Sequence, residues 1–294
     1  MCYFVIVNLQ IFQDYKLNKD YVHTNSMNII SQANDLLILN TNRVDKSTGT
    51  NIKTNNFNKQ EAIQISLEEA KVKHAQNTKA SESKAERIID PKKPMVALTF
   101  DDGPHNKYTI QILDSLKKYN GIATFFVLGS RAEKHKSIIK SIAENGNQIG
   151  NHTYDHKQLT KLSSKAIIDE VTKTNNILKN ITNATSSVIR PTYGSVNKNV
   201  KQYAGGPLIL WSIDTLDWKS KNEKMIVNRA LKNVKDGDII LMHDIYKTTA
   251  SAADIIIKEL SSRGFQMVTI DELYTAREID LVKGKVYRNA YKKK

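Results

Sequence analysis

The sequence predicts an α/β protein: a parallel sheet covered by helices and closed as a (β/α) barrel of about seven strands. Three observations predict it. From residue 95 onward, short apolar runs alternate with helix-like stretches across short connections, the rhythm of a parallel sheet. Residues able to do chemistry fall at the C-terminal ends of those runs, where β/α barrels place their sites. An open doubly wound sheet would share the alternation. No glycine fingerprint for a dinucleotide or phosphate is present, however, and this favours the barrel.

Each element has its own warrant. Met95-Val96-Ala97-Leu98-Thr99-Phe100 is an apolar run of strand length, and 107–119 carries a helical pattern. Ala123-Thr124-Phe125-Phe126-Val127-Leu128 follows, then a helix over 134–145 closed by Gly146. Residues 148–151 form a third strand and 164–179 a third helix. Strands four to seven are read at 188–190, 208–213, 239–243 and 265–269.

What precedes residue 91 has a different composition. Met1 to Phe12 is apolar around Tyr3-Phe4-Val5-Ile6-Val7, but it falls short of the roughly 20 residues a spanning helix needs. It reads as a signal or anchor remnant, or as a minor buried segment. Residues 14–59 are rich in Asn, Lys, Thr and Ser and form a linker with little capacity for a core. Residues 60–89 favour an exposed helix, with Ser66-Leu67-Glu68-Glu69 resembling a capping box. The division is therefore a partly disordered, partly helical extension at 1–90, a catalytic domain at 91–285 and a basic tail at 286–294.

Composition narrows the partners. The 294 residues are 40% hydrophobic, enough for a core, and carry a formal charge of +14. That charge suits a polyanion such as nucleic acid or an anionic cell-wall or membrane surface, and a solvated lysine-rich surface accounts for most of it. No nucleic-acid motif accompanies it, and the lysines are dispersed rather than set among stacking aromatics. A single cysteine, Cys2, excludes an intrachain disulfide framework and a cysteine zinc site, and no cysteine-linked partner is evident.

The chemistry concentrates in two motifs. Thr99-Phe100-Asp101-Asp102-Gly103-Pro104 ends the first strand with two carboxylates pointing in different directions. One can ligate a metal while the other takes a proton from water. His152 and His156, at i and i+4, are expected one helical turn apart with both imidazoles on one ion. One carboxylate and two imidazoles suit zinc or another mid-series divalent ion with positions left open for water. His23, His74, His105 and His135 read as solvated side chains. Three further segments end strands: Arg190-Pro191-Thr192-Tyr193-Gly194, Asp214-Thr215-Leu216-Asp217-Trp218 and Leu241-Met242-His243-Asp244.

These five motifs, in this order over 94–273, resemble the polysaccharide deacetylase family, carbohydrate esterases with a NodB-homology domain. Within it the chain is most similar to peptidoglycan N-acetylglucosamine deacetylases, through Asp214 to Lys219 and through Met242 to Tyr246 leading into Thr249 and Ala250. The resemblance implies a distorted (β/α) barrel and a metal-dependent hydrolase that removes N-acetyl groups from a glycan. It implies Asp102, His152 and His156 as metal ligands, Asp101 as general base and His243 as general acid. Arg190 then orients the base and Asp217 supports His243. Trp218 and Leu241 match walls around the acetyl methyl, and the Tyr193 amide matches an oxyanion donor. Thr192 departs from the family pattern, standing where many members carry a second proline. The implied cofactor is zinc, with cobalt or another mid-series ion as the alternative. A wall substrate implies an extracytoplasmic location. The rival polymers are chitin-like oligomers, poly-N-acetylglucosamine and xylan, and the rival class is a non-catalytic wall-binding protein.

Overall fold

The computed structural model describes residues 89–292, so the expectations for the apolar start, the linker and most of the 60–89 helix lie outside the described residues. The centre of the fold is strand β1, Met95–Asp101, all seven of whose residues are buried. A run buried on both faces needs no polar alternation, hence its continuous apolar character. It lies between β2 (Thr124–Val127) and β6 (Asp238–His243), and both pairings are parallel. β3 (Gln148–Asn151) extends the sheet beyond β2, β5 (Ile213–Asp214) extends it beyond β6, and β7 (Gln266–Met267) pairs with the start of β1.

Beyond β3 the sheet continues through single bridges. Asn151 pairs with Ile189, and Ile189 with Leu208 of β4 (Leu208–Ile209), which in turn pairs with β8 (Val286–Tyr287). A single antiparallel bridge from Asn289 back to Asp238 of β6 closes this path, which is otherwise parallel. The result is a distorted barrel of parallel strands, as expected.

Side-chain alternation along β1 sorts the core into two layers. Val96, Leu98 and Phe100 pack outward with Ile112, Leu116, Ile139 and Ile256 of the covering helices. Met95 and Ala97 point inward with Ile209, Ile239, Val268 and Tyr274. Thr99 and Asp101 continue the inward face, so the interior turns polar towards the strand ends.

The helices follow their local signals with small shifts. α1 spans Tyr108–Lys118. The helix expected over 134–145 is two: α2 (Gly129–Lys134) and α3 (Lys136–Glu144), broken at His135. α2 begins directly after β2 because its first amides, Gly129 and Ser130, donate to Thr153 O and Tyr154 O at 2.9 Å. α4 runs from Ser164 to Thr182, capped by the Ser163 hydroxyl and ended by Asn183 in the left-handed region. α5 (Lys198–Tyr203), α6 (Asp217–Ser220), α7 (Glu223–Leu231), α8 (Lys247–Ser262) and α9 (Ile270–Thr275) complete the set among the described residues.

Three expectations are corrected. The strand at 188–190 is reduced to the bridge at Ile189, because Pro191 has no N–H and Arg190 turns into the interior. The strand at 208–213 is split, since Leu210 N–H pairs with Tyr287 O while Ser212 N–H pairs with Ile239 O, so the chain changes neighbours within two residues. The segment read as a basic tail from 286 is built into the fold as far as Tyr291. Tyr287 and Ala290 are buried, and the Tyr291 hydroxyl donates to Asp238 Oδ1 at 2.6 Å. Gly237 permits this: at φ 93° and against Ala290 O, a Cβ there would sit 2.5 Å from that carbonyl.

Tyr287→Ala should therefore cost about 3 kcal/mol in urea unfolding, the range for emptying a buried aromatic site. A free tail would leave the midpoint unmoved.

Candidate metal centre and active site

The strand ends of β1, β2, β3 and β6 converge on one site. Asp101 is the last residue of β1, facing inward, and its Cα is in register with His243 at the end of β6. Asp102 follows at φ 71°, which turns its carboxylate away from that of its neighbour. Leu128 N–H holds the turn by donating to Gly103 O at 3.1 Å.

His152 follows β3, its N–H donating to Val127 O at 3.0 Å. The expected helical turn between His152 and His156 is absent: the two belong to a bent loop with Thr153 at φ 70° and His156 at φ 66°. Two left-handed residues bring the imidazoles together where a helix would otherwise do so. His152 Nε2 lies 3.4 Å and His156 Nε2 3.3 Å from Asp102 Oδ1. Ligand atoms from all three residues fall within 4.8 Å of one another.

A divalent cation fits this set. Asp102 Oδ1 is buried with no hydrogen-bond partner, and two imidazole nitrogens face it. Such an orphan is what a bound ion satisfies. His152 Nδ1–H donates to Arg190 O at 2.7 Å, which leaves Nε2 with a free lone pair, the usual arrangement of a ligating histidine. Burial pushes the Asp102 carboxyl up, but His152 beside it and the charges of His243 and His156 pull it down to about 2. Burial lowers His156 below the ordinary imidazole value, favouring the neutral, ligating form.

On one flank of this set stands Asp101. Arg190, wholly buried, donates to Asp101 Oδ1 at 2.7 Å, and Asp101 Oδ2 lies 3.7 Å from His152 Nε2. One carboxylate oxygen is thus occupied and the other is directed at the ligand set. In register with Asp101 at the end of β6, His243 Nδ1 shares a proton with Asp217 Oδ1 at 2.8 Å. Asp217 is fully buried and also accepts from His243 N, Trp218 N and the Thr249 hydroxyl, so it cannot swing away. Burial alone would lower the His243 pKa; the Asp217 hydrogen bond and charge, with Asp101 and Asp102 beyond, outweigh it and raise it to about 9.

The expected substrate contacts divide. Tyr193 at 64% exposure and Trp218 at 47% stand open on the rim, Tyr193 at φ 59° with its ring edge-on to His156 at 4.6 Å. Leu241 is buried, two residues before His243 on the same inward face of β6. Every sequence-expected site residue is therefore at or beneath one rim.

Two contributors escaped sequence reasoning. Glu170, buried in α4, accepts from Tyr154 N at 2.9 Å, Asp155 N at 3.3 Å and Lys157 Nζ at 2.9 Å, clamping the loop that carries His156. Asp244, fully buried, accepts from the Thr109 hydroxyl and packs on Gly103, where a Cβ would come within 2.3 Å of its oxygens. Neither sits in a spacing that announces a partner. Only Asp244's place beside His243 was a signal.

Fold and site together define an α/β protein with a candidate hydrolytic metal centre at its strand ends. The polysaccharide deacetylase family model matches residues 89–205. The chain belongs to that family. It is 44% identical over 188 residues to the peptidoglycan-N-acetylmuramic acid deacetylase PdaC of Bacillus subtilis, covering 64% of this chain and 40% of that protein. It is 45% identical over 179 residues to the peptidoglycan-N-acetylglucosamine deacetylase PgdA of Listeria monocytogenes, covering 61% and 38%. The chain thus spans about two fifths of the length of these curated relatives. The solved structure of PdaC matches with a TM-score of 0.64 and 43% identity, covering 65% of this chain and 94% of that one. A family 4 acetyl xylan esterase from Clostridium thermocellum, solved with a cobalt ion, matches at 0.64 and 32%, covering 66% and 98%.

Glu170→Ala should weaken zinc or cobalt binding by about 10- to 100-fold, the usual effect of removing an outer partner of a metal site. Glu170→Gln should keep most of the affinity, since its amide oxygen still accepts from the loop. Competition with a chromophoric chelator measures both, and an unaltered alanine variant would show that the loop holds itself.

Proposed function

We propose that this chain hydrolyses the N-acetyl group of N-acetylglucosamine residues in peptidoglycan, using a divalent cation, zinc in the first place, on Asp102, His152 and His156. The observation that carries this reading is that the Asp101–Arg190 and His243–Asp217 pairs stand in register at the ends of β1 and β6, next to one ligand set. When bound, the cation supplies Lewis acidity to a carbonyl oxygen and to water. Asp101 Oδ2 accepts the proton of the attacking water, while Arg190 keeps Oδ1 and hence the whole carboxylate in place. The Tyr193 amide donates to the oxyanion as it develops. His243, kept protonated by Asp217, passes its proton to the departing amine nitrogen, a leaving group that requires an acid. Leu241 and Trp218 wall the acetyl methyl.

The names of PdaC and PgdA support the polymer, and the cobalt-bound relative supports a mid-series divalent ion. The charge of +14 suits an anionic wall and, with the wall substrate, an extracytoplasmic site of action.

The purified chain should release acetate from peptidoglycan faster than from chitin oligomers or acetylated xylan. A chelator should abolish release and zinc restore it; turnover unaffected by metal removal would overturn the reading. His243→Ala should lower kcat by about 10²–10⁴ with metal content unchanged. An acid must be protonated to act, so activity falls as pH rises through its pKa, and a raised pKa extends activity upward. Asp217→Asn should accordingly move the basic limb of the kcat/KM profile to lower pH. A limb that stays put would assign the acid elsewhere.

A further inference from the structure

Asp244 is a buried carboxylate that the chemistry above does not use. It follows His243 at the end of β6, wholly enclosed, and its side chain meets the turn after β1. A Cβ added to Gly103 would lie 2.3 Å from each Asp244 oxygen and 2.6 Å from its Cγ. The carboxylate therefore fills the space that a side chain at position 103 would take. Asp244 Oδ2 accepts from the Thr109 hydroxyl, and Thr109 Oγ1 in turn accepts from His105 N at 2.8 Å. Asp244 Oδ1 has no hydrogen-bond partner on another residue.

Two neighbouring strand ends thus hold one residue. Leu128 N–H, just after β2, donates to Gly103 O at 3.1 Å, and Asp244, just after β6, packs where its Cβ would be. The residue before Gly103 is Asp102, at φ 71°, a conformation that persists only where the surroundings over-determine it. Asp101, one step earlier, is fixed by its register with Phe126 and His243. From there to α1 the chain is held by Gly103 and by the relay from His105 through Thr109 to Asp244. Burying a carboxylate with one oxygen unpaired is costly, and such a group calls for an explanation beyond packing. An apolar side chain would fill the space at less cost, but it could not hold the Thr109 hydroxyl and with it the His105 amide.

We propose that Asp244 is a positioning residue for the Asp102 turn: seated against Gly103 and bonded through Thr109 to the His105 amide, it fixes the candidate ligand oxygen of Asp102 relative to the end of β6. The inference rests on Asp102 holding the cation, as in the reading above, and assigns no proton transfer to Asp244 itself. His243 and Asp244 are consecutive, so one strand end places the proposed acid and registers the ligand turn against it. The role needs a shape and one acceptor. Asparagine has both; alanine has neither.

The test measures zinc affinity by chelator competition, then kcat and KM on peptidoglycan at saturating zinc, with urea midpoints to establish that each variant is folded in the assay. Asp244→Ala should weaken zinc binding by about tenfold, the lower end for an outer partner of a metal site, because it acts through the backbone. It should lower kcat and leave KM unchanged. Asp244→Asn should stay close to the wild type in all three. Thr109→Val, which removes the relay and keeps the volume, should follow Asp244→Ala, and Thr109→Ser should not. Gly103 is not at positive φ, so the contact with Asp244, and not the backbone, sets the cost of a methyl group there. Gly103→Ala should therefore lose more than Asp244→Ala, and Gly103→Ala/Asp244→Ala should recover to the level of Asp244→Ala alone. An unaltered affinity in Asp244→Ala, an asparagine variant as weak as the alanine one, or a double variant as weak as the sum of its parts would overturn the proposal. Should Asp244→Ala not fold, Thr109→Val against Thr109→Ser reads the same contact. Zinc binding needs no turnover. A wild type that binds zinc and deacetylates nothing sinks the functional reading alone, whereas variants that bind zinc as the wild type does sink this inference alone.

Discussion

The rest of the site depends on one buried ion pair, Arg190 with Asp101. Arg190 is fully enclosed, and each arm of its guanidinium has a fixed acceptor: Thr99 Oγ1 and Asp101 Oδ1 at 2.7 Å, Ile209 O and Leu210 O at 3.1 Å. The plane lies 4.0 Å over the Phe126 ring. Its own carbonyl accepts from His152 Nδ1. One residue therefore ties β1, the Ile189 bridge, β4 and His152 into a single arrangement. Taking two charges out of water costs several kcal/mol per ion, and attraction offsets this only when every donor is satisfied. Here four of the five N–H donors have an acceptor, so the pair contributes position more than stability.

The position of that pair follows from strand geometry. Along β1 the inward residues run Met95, Ala97, Thr99, Asp101, and along β6 they run Ile239, Leu241, His243. The period of two that buries apolar side chains at the bottom of the barrel delivers Asp101 and His243, the proposed base and acid, at its top. Because Asp101 and His243 are register partners on adjacent parallel strands, their separation is set by the sheet and not by loops. The candidate ligands, by contrast, sit one step beyond the strands, on Asp102 and on the loop after β3.

That division explains what could be read in the sequence. Asp101, Asp102, Arg190 and His243 were legible because they follow apolar runs, and His152 and His156 through their spacing, while Asp217 was marked by the family resemblance and not by pattern. Local conformation at the ligands was not. The His152–His156 spacing matches a helical turn, yet the loop is set by contacts from α4, more than ten residues on: Asn151 Nδ2 to Val171 O and Asn175 Oδ1, and Glu170 to Tyr154, Asp155 and Lys157. The divided 208–213 strand and the docked 286–291 segment share that cause. Their pairing partners, Tyr287, Ile239 and Gly237, lie far away in sequence, where no periodicity of the segment itself can reveal them.

The same contacts account for the backbone strain around the site. Asp102, Thr153, His156 and Tyr193 all lie at positive φ without being glycine, a conformation costing on the order of 1–3 kcal/mol each. Strain of this kind persists only where the surroundings over-determine it. Asn151 Oδ1 accepts from Thr153 N at 2.8 Å, the Thr153 hydroxyl accepts from His156 N at 3.2 Å, and Glu170 closes the loop from outside. Each bond is made within the protein and needs no ion. The imidazoles are thus positioned by contacts from α4 and β3. A structural metal has to organise its ligands; a catalytic one is better served by ligands already organised, with coordination positions left for substrate and water. The hydrogen-bonded loop fits the second kind, the use proposed for Asp102, His152 and His156.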